Sequence, residues 1–276
     1  MNTPSFQSFR RSLMMVAAVG LLAAASHAQT PLLHYTLDGN GNDSGSLNID
    51  GVTQNQAFFT QTGAGVGRFS EALSTDNGTN DYFVAGTGGN AALGLDAITI
   101  ALWVNIDGGA STDRLVSNIS TSAGFDFYIQ NYTTGTDGVG KYNLAFGFNS
   151  TSGAVQSAST NYVTDKWLFL AVTYNSTTET VSFYSGDLSS ATGLNSTASK
   201  TGSIAASALD LEIGGTPVTT ADRSPIALFN DVRIYSGALT LTEIEAIRVT
   251  AIPEPSSYGF ILGAASLGCI ALRRRR

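Results

Sequence analysis

From Ile98 to Ile106 the chain is apolar at every second position: Ile98, Ile100, Leu102, Val104 and Ile106 alternate with Thr99, Ala101, Trp103 and Asn105. A period of two gathers one set of side chains on a single face of an extended strand, whereas a helix would scatter them. The stretch predicts a strand with one buried face, and the pattern recurs along the chain. Leu168, Leu170 and Val172 share a face between Trp167 and Asn175, Phe125, Phe127 and Ile129 alternate, and so do Leu144, Phe146 and Phe148. Between Ile226 and Tyr235 the expected inward residues are Leu228, Val232 and Ile234. Thr178-Glu179-Thr180 reads as the turn of a hairpin that returns through Val181 and Phe183. Clusters such as Asp107-Gly108-Gly109 and Asn149-Ser150-Thr151 separate the strands. Short strands joined by polar loops predict an all-β chain, an antiparallel jelly-roll sandwich.

One helix interrupts the strand pattern. Thr240 and Glu243 have the spacing of a capping box, and Leu241, Ile244, Ile247 and Arg248 follow helical spacing. No proline-rich linker divides residues 29–250, so they read as one domain. With 43% hydrophobic residues there is ample material for its core. The only cysteine, Cys269, lies beyond that domain, which therefore has no disulfide, thiol nucleophile or cysteine metal site.

The two ends read as addresses. Arg10 and Arg11 precede an apolar run from Leu13 to Ala25, and Ser26-His27-Ala28 offers small residues for cleavage, predicting a signal peptide over 1–28. At the other end Pro253-Glu254-Pro255 precedes an apolar run from Tyr258 to Leu272, closed by Arg273, Arg274, Arg275 and Arg276. The prolines stop the preceding helix, the apolar run is a membrane-seeking helix, and the arginines stay on the cytoplasmic side. These ends hide an asymmetry of charge. The chain has 14 basic and 21 acidic residues, but removing the six arginines at the ends leaves eight against 21, a balance of −13. Such an acidic middle repels phosphate backbones and excludes nucleic acid as a leading partner.

In order and kind, the motif, apolar helix and arginine cluster of residues 252–276 resemble the PEP-CTERM sorting signal of Gram-negative bacteria. The resemblance implies recognition by an exosortase-type enzyme, membrane insertion before processing, and a place in the cell envelope, on the outer surface or in the extracellular matrix. The domain between the ends resembles the LamG-like, concanavalin A-like jelly rolls. The matching segments are His34–Gly39, Ala97–Val104, Lys166–Tyr174, Val181–Gly186, Leu211–Gly215 and, most strongly, Phe229–Tyr235 followed by Ala238-Leu239-Thr240 and Glu243-Ile244.

Residues that could carry chemistry are few. Glucanases that share this sandwich place carboxylates at alternate positions of one strand, flanking a glycosidic bond. None of the six glutamates, at 71, 179, 212, 243, 245 and 254, forms that array, and Asp210 and Glu212 read as an exposed strand edge. His34 has no evident partner in the sequence, so a Ser-His-Asp hydrolase is not supported. No catalytic residue is assigned. The resemblance implies a Ca²⁺ between the opening segment and the closing strand, held by Asp231 with Asp38, Asn40 and Asp43. The alternative for Asp231 is a pairing with Arg233. Tyr128, Tyr132, Tyr142, Tyr162 and Tyr184 are candidate sugar platforms, while Trp103 and Trp167 read as packing residues.

The expected function is that of an exported, non-catalytic surface or matrix protein whose jelly roll binds carbohydrate, such as an exopolysaccharide or surface glycan, or a protein partner. A polysaccharide hydrolase of the same fold and a purely structural biofilm or envelope component are the alternatives.

Overall fold

Strand Ala97–Gly108 runs through the middle of one sheet, pairing with Trp167–Asn175 on one side and Ile226–Tyr235 on the other. The computed structural model describes residues 29–75, 80–85, 91–135, 139–150, 152–158, 162–217 and 223–253. The signal over 1–28 and the tail from Glu254 through Arg276, including Pro255 and the four terminal arginines, lie outside the described residues.

Two eight-stranded antiparallel sheets form the sandwich. In the first the order is Gly193–Ser199, Thr180–Gly186, Trp167–Asn175, Ala97–Gly108, Ile226–Tyr235, Leu73–Ser74 and Phe58–Phe59, with the opening strand Leu33–Tyr35 also on Ile226–Tyr235. In the second it is Val155–Gln156, Gly140–Phe148, Phe125–Thr134, Arg114–Ser117, Glu212–Ile213, Tyr82–Val84 and Val52–Gln54, with Tyr162–Val163 also on Gly140–Phe148. The hairpin lies where the sequence places it: Asn175 faces Thr180, and Glu179 takes the left-handed φ of 52° that the tight return needs.

Between the sheets, Ile98, Ile100, Leu102, Val104 and Ile106 meet Phe125, Phe127, Ile129, Leu144, Phe146, Leu170 and Val172 in one core. Alternation alone predicts a single buried face for the central strand, yet both faces are covered. Ala101 and Trp103 on its other side pack with Phe169, Ala171, Tyr235, Leu239, Ile244 and Ile247 in a second core. The cause is the helix Leu241–Val249, which lies over that face; its capping box is formed, with the Thr240 amide donating to Glu243 Oε2 at 2.8 Å. Of the residues at helical spacing, Ile244, Ile247 and Arg248 are buried as expected, while Leu241 is exposed.

The closing strand departs from simple alternation. Its core residues are Ala227 and Phe229, then Val232 and Ile234, while Leu228 is half-exposed. A bulge between Asn230 and Arg233 shifts the phase by one residue, and Asp231 sits in it with a φ of 49°. Asp tolerates this left-handed conformation better than most side chains. The bulge brings Asn230 and Asp231 to bear on the opening segment.

Candidate functional site

The four residues expected to hold calcium do not converge on one centre. Asp231 is fully buried; its Oδ1 lies 2.7 Å from His34 Nε2 and 2.8 Å from Arg233 Nε, and its Oδ2 accepts from Arg233 Nη2 at 3.0 Å. Asp43 accepts from the amides of His34, Gly45 and Ile49 at 2.7–2.9 Å. Asp38 Oδ1 accepts from the amides of Ser70 and Glu71, and Asn40 Oδ1 from that of Asn42. These oxygens serve a guanidinium, an imidazole and backbone N–H groups, so the donor set does not fit a calcium ion as arranged. Among the described residues no three His, Cys, Asp or Glu side chains form a group able to hold a metal.

His34, which has no evident partner in the sequence, has two in the structure. Ser44 Oγ lies 2.8 Å from its Nδ1 and Asp231 from its Nε2, a Ser-His-Asp chain of hydrogen bonds. An ionised Asp231 only accepts, so Nε2–H donates to it, while the serine hydroxyl lies within reach of both Nδ1 and the His34 carbonyl. The surrounding amides are committed elsewhere: Ser44 N donates to His34 O, Gly45 N to Asp43 Oδ1 and Ser46 N to Pro31 O. None of the three is free to stabilise an oxyanion, and the chain ties the opening loop to the closing strand.

The outward face of the second sheet concentrates buried polar groups. Glu212, Ser117 and Asp126 are register partners across three adjacent strands, so they form a row with strands about 4.8 Å apart. Each of the three is at most 5% exposed. Glu212, expected at an exposed edge, lies instead between Tyr82–Val84 and Arg114–Ser117. The chain after Ile213 accounts for its burial by folding back over the face: Gly215 crosses Glu212 and Tyr82, and Thr216 Oγ1 lies 3.4 Å from Ser117 Oγ.

The electrostatics follow from this burial. Loss of water, reinforced by nearby Asp210, pushes the Glu212 carboxyl up to about 7. Burial also raises Asp126, to about 6, against the opposing pull of Arg114, whose Nη2 lies 2.8 Å away. Arg114 in turn lies over the ring of Tyr128, 4.4 Å from its centroid. Burial and the charges of Glu212 and Asp210 raise the hydroxyl of Tyr82. Glu212 Oε2 and Asp126 Oδ1 have no hydrogen-bond partner among the described residues.

Beside Glu212 opens a cavity of about 300 Å³, walled by Asn55, Asn80, Tyr82, Glu212, Gly215 and Thr216 and completed by Pro217 and Ser224. Among these described lining residues Glu212 is the one carboxylate, and none is Lys or Arg. A second cavity of about 300 Å³ lies between Pro31, Leu239 and Ile247, but no lining residue there carries a buried polar atom without a partner. A third cavity, of about 280 Å³, is lined by Asn105, whose buried Oδ1 also lacks a partner, but its carboxylates, Asp107 and Asp165, are exposed. A buried carboxylate with unmet hydrogen-bonding capacity distinguishes the Tyr82–Glu212 cavity among these three.

Most of this site escaped sequence reading. Of the tyrosines expected as platforms, Tyr142 and Tyr184 are buried, Tyr162 stacks on Tyr142 at 5.6 Å, and Tyr128 lies under Arg114. Tyr132 is half-buried and packs against the main core. Trp103 is a packing residue as expected, fully buried 5.5 Å from Phe169, with Trp167 half-buried beside it. Tyr82, Arg114 and Asp126 were not anticipated. The one available signal was the charge of Asp126 at the outward position between Phe125 and Phe127.

Residues 76–245 match the family model of the concanavalin A-like lectin/glucanases superfamily, and residues 251–276 match the PEP-CTERM protein-sorting motif. The latter marks an exported protein of the cell envelope. No curated protein matches the chain. Among solved structures it is similar to domain 4 of AbnA, a GH43 extracellular arabinanase from Geobacillus stearothermophilus, in complex with arabinotriose. The TM-score is 0.57 at 14% identity, covering 80% of this chain and 98% of that one. It is also similar to the binding domain of Paraclostridial Mosquitocidal Protein 1 (TM-score 0.55, 13% identity, 80% and 52% covered). A third is the binding domain of Botulinum Neurotoxin DC in complex with SialylT (0.53, 14%, 80% and 52%). The chain thus spans about half the length of the toxin domains, and at these identities the likeness is one of fold.

Proposed function

Because the chain belongs to the concanavalin A-like lectin/glucanases superfamily, we propose that it is a non-catalytic carbohydrate-binding protein of the Gram-negative outer surface or matrix. In this reading an exosortase-type enzyme sorts it through its C-terminal motif, and the Tyr82–Glu212 cavity is its ligand site. The observation that carries the reading is Glu212 Oε2, buried, without a donor among the described residues, and on the wall of a cavity whose other described lining includes the amides of Asn55 and Asn80, the hydroxyls of Thr216 and Ser224, and the ring of Tyr82. Sugar hydroxyls supply the missing donors and a pyranose face packs on a tyrosine ring. Two of the similar structures, the arabinanase domain and the neurotoxin domain, are complexes with arabinotriose and SialylT.

A glycan array probed with the full chain tests this. The expected outcome is binding to a defined subset of saccharides, weakened about 10-fold or more by Tyr82→Ala. A blank array favours the purely structural alternative. The hydrolase alternative draws on the raised carboxyl of Glu212, the protonated form a general acid needs, with Asp126 as the second carboxyl. Against it, Asp126 is held by Arg114 and lies outside the described cavity lining, which leaves one carboxylate among the described lining residues where glycoside cleavage uses two. Release of reducing ends from the bound saccharide would overturn the non-catalytic reading.

A further inference from the structure

The cavity beside Glu212 has a charge preference as well as hydrogen-bonding capacity. Its one described carboxylate is buried, unpartnered at Oε2, and biased by a second acid, Asp210. The nearest basic side chains are committed elsewhere: Arg114 pairs with Asp126, and Arg114 and Arg223 both donate to Thr112. The groups facing Glu212 from the neighbouring elements are Tyr82, Ser117 and the Gly215-Thr216 backbone, none of them cationic.

A neutral hydroxyl can fill the vacant hydrogen bond of Oε2 but leaves the charge of an ionised Glu212 unbalanced. An ammonium group does both, and an aromatic wall at Tyr82 suits a cation as well as a sugar face. At about 300 Å³ the space is at the small end of ligand sites, the size for one saccharide unit rather than a long stretch of polymer. The acidic balance of the domain also raises the local concentration of a polycation.

Resting on the carbohydrate reading above, we infer that the cavity selects a glycan carrying a free amino group, a de-N-acetylated hexosamine unit, with its ammonium against Glu212 Oε2. Neutral, N-acetylated units are discriminated against because they lack the charge. Burial keeps Glu212 partly protonated near neutral pH in the free protein. Ligand binding therefore draws the carboxyl into its ionised form, and affinity falls as the pH drops below about 7.

The test is calorimetric titration of the full chain, in mild detergent at pH 7, with glucosamine tetramer, N-acetylglucosamine tetramer and tetralysine. The glucosamine tetramer is expected to bind about 10-fold or more tightly than its acetylated counterpart. Glu212→Gln, which keeps the side-chain shape, should abolish that preference without a loss in Tm. Asp210→Asn, which leaves the cavity wall in place, should reduce the preference about threefold, and this keeps the test decisive if the first variant folds poorly. Equal or better binding of the acetylated tetramer overturns the amino-sugar inference and leaves the carbohydrate reading standing. Tetralysine binding as tightly as the amino sugar also overturns it, as would binding of the glucosamine tetramer undiminished in both variants. Binding of no glycan, by titration or on the array, overturns both.

Discussion

Asp231 lies 2.7 Å from His34 although 197 residues separate them in the chain, and this contact ties the first strand to the last. Burial alone would raise the carboxyl, but the hydrogen bond from His34 and the adjacent charge of Arg233 outweigh it and hold Asp231 below the usual carboxylate range. Because the folded-state pKa is depressed, the stabilisation is present at neutral pH and is lost as the pH falls through that lowered value, below about 4.

Asp231→Asn isolates the charge, since Asn tolerates the same left-handed φ. It leaves Arg233 buried without its anion. The expected cost is about 3–5 kcal/mol, a fall in Tm of about 10 °C by calorimetry at pH 7. The gap should narrow towards pH 3. A Tm within about 2 °C of the parent at pH 7 would show that the pair contributes little.

Glu212 has the opposite sign. Its carboxyl is raised to about 7, so the folded protein holds a proton that the unfolded chain releases from about pH 4.5 upward. Stability therefore falls between about pH 4.5 and 7 and levels off above. Glu212→Gln removes this dependence: it should match the parent near pH 4.5 and exceed it in Tm at pH 8. Parallel Tm–pH curves for the two proteins would contradict the assignment.

Asn230 makes a more specific prediction. Its Nδ2 is surrounded by three backbone carbonyls, those of Thr36 at 3.0 Å, Leu37 at 3.4 Å and Glu71 at 2.9 Å, while its Oδ1 accepts from the Val66 amide. An amide nitrogen is the positive end among oxygens here. Asn230→Asp puts a carboxylate oxygen against them, which should destabilise the fold by about 3 kcal/mol or more in chelator. Calcium, which accepts carbonyl and carboxylate ligands together, should then restore part of the lost Tm. The parent protein, whose oxygens are committed to internal donors, should show no calcium shift; a rise in its Tm on adding millimolar calcium would contradict that reading.

What could be read from the sequence follows from how local the cause is. Alternation in Ala97–Gly108 and in Phe125–Thr134 is a property of consecutive residues, and the Thr240–Glu243 box spans four positions, so strands and helix were legible. The inward set of Ile226–Tyr235 was legible only in its second half. Val232 and Ile234 are core as expected, but Leu228 is half-exposed and Ala227 and Phe229 replace it, because the bulge at Asp231 is stabilised by His34 and Arg233 rather than by neighbours along a regular strand. The second buried face of the central strand depends on a helix more than 130 residues later. The Tyr82–Glu212 cavity is the extreme case. Its described walls come from four separate stretches, and Glu212 sits in a strand of two residues, too short to show a period and buried only because the chain folds back over it.

Gly215 is where that fold-back can be tested. A Cβ built there would lie 2.7 Å from Glu212 Oε2 and 2.7 Å from Tyr82 Cβ. The carboxylate can swing away, but the tyrosine Cβ is fixed by its strand, so the covering chain must lift. Gly215→Ala should cost about 1–3 kcal/mol through overpacking, with the sandwich core unchanged. Its larger effect is on the cavity, where Glu212 is pushed from its place and the wall over Tyr82 opens. Glycan affinity should fall about 10-fold or more, well beyond what the change in Tm accounts for at 25 °C, where the protein remains folded. Ile244→Val, in the core under the helix and outside the cavity lining, separates the two effects. It should lower Tm by a few degrees and leave affinity within about twofold. Equal affinity in the parent and Gly215→Ala, measured by the same titration, would place the ligand elsewhere on the domain.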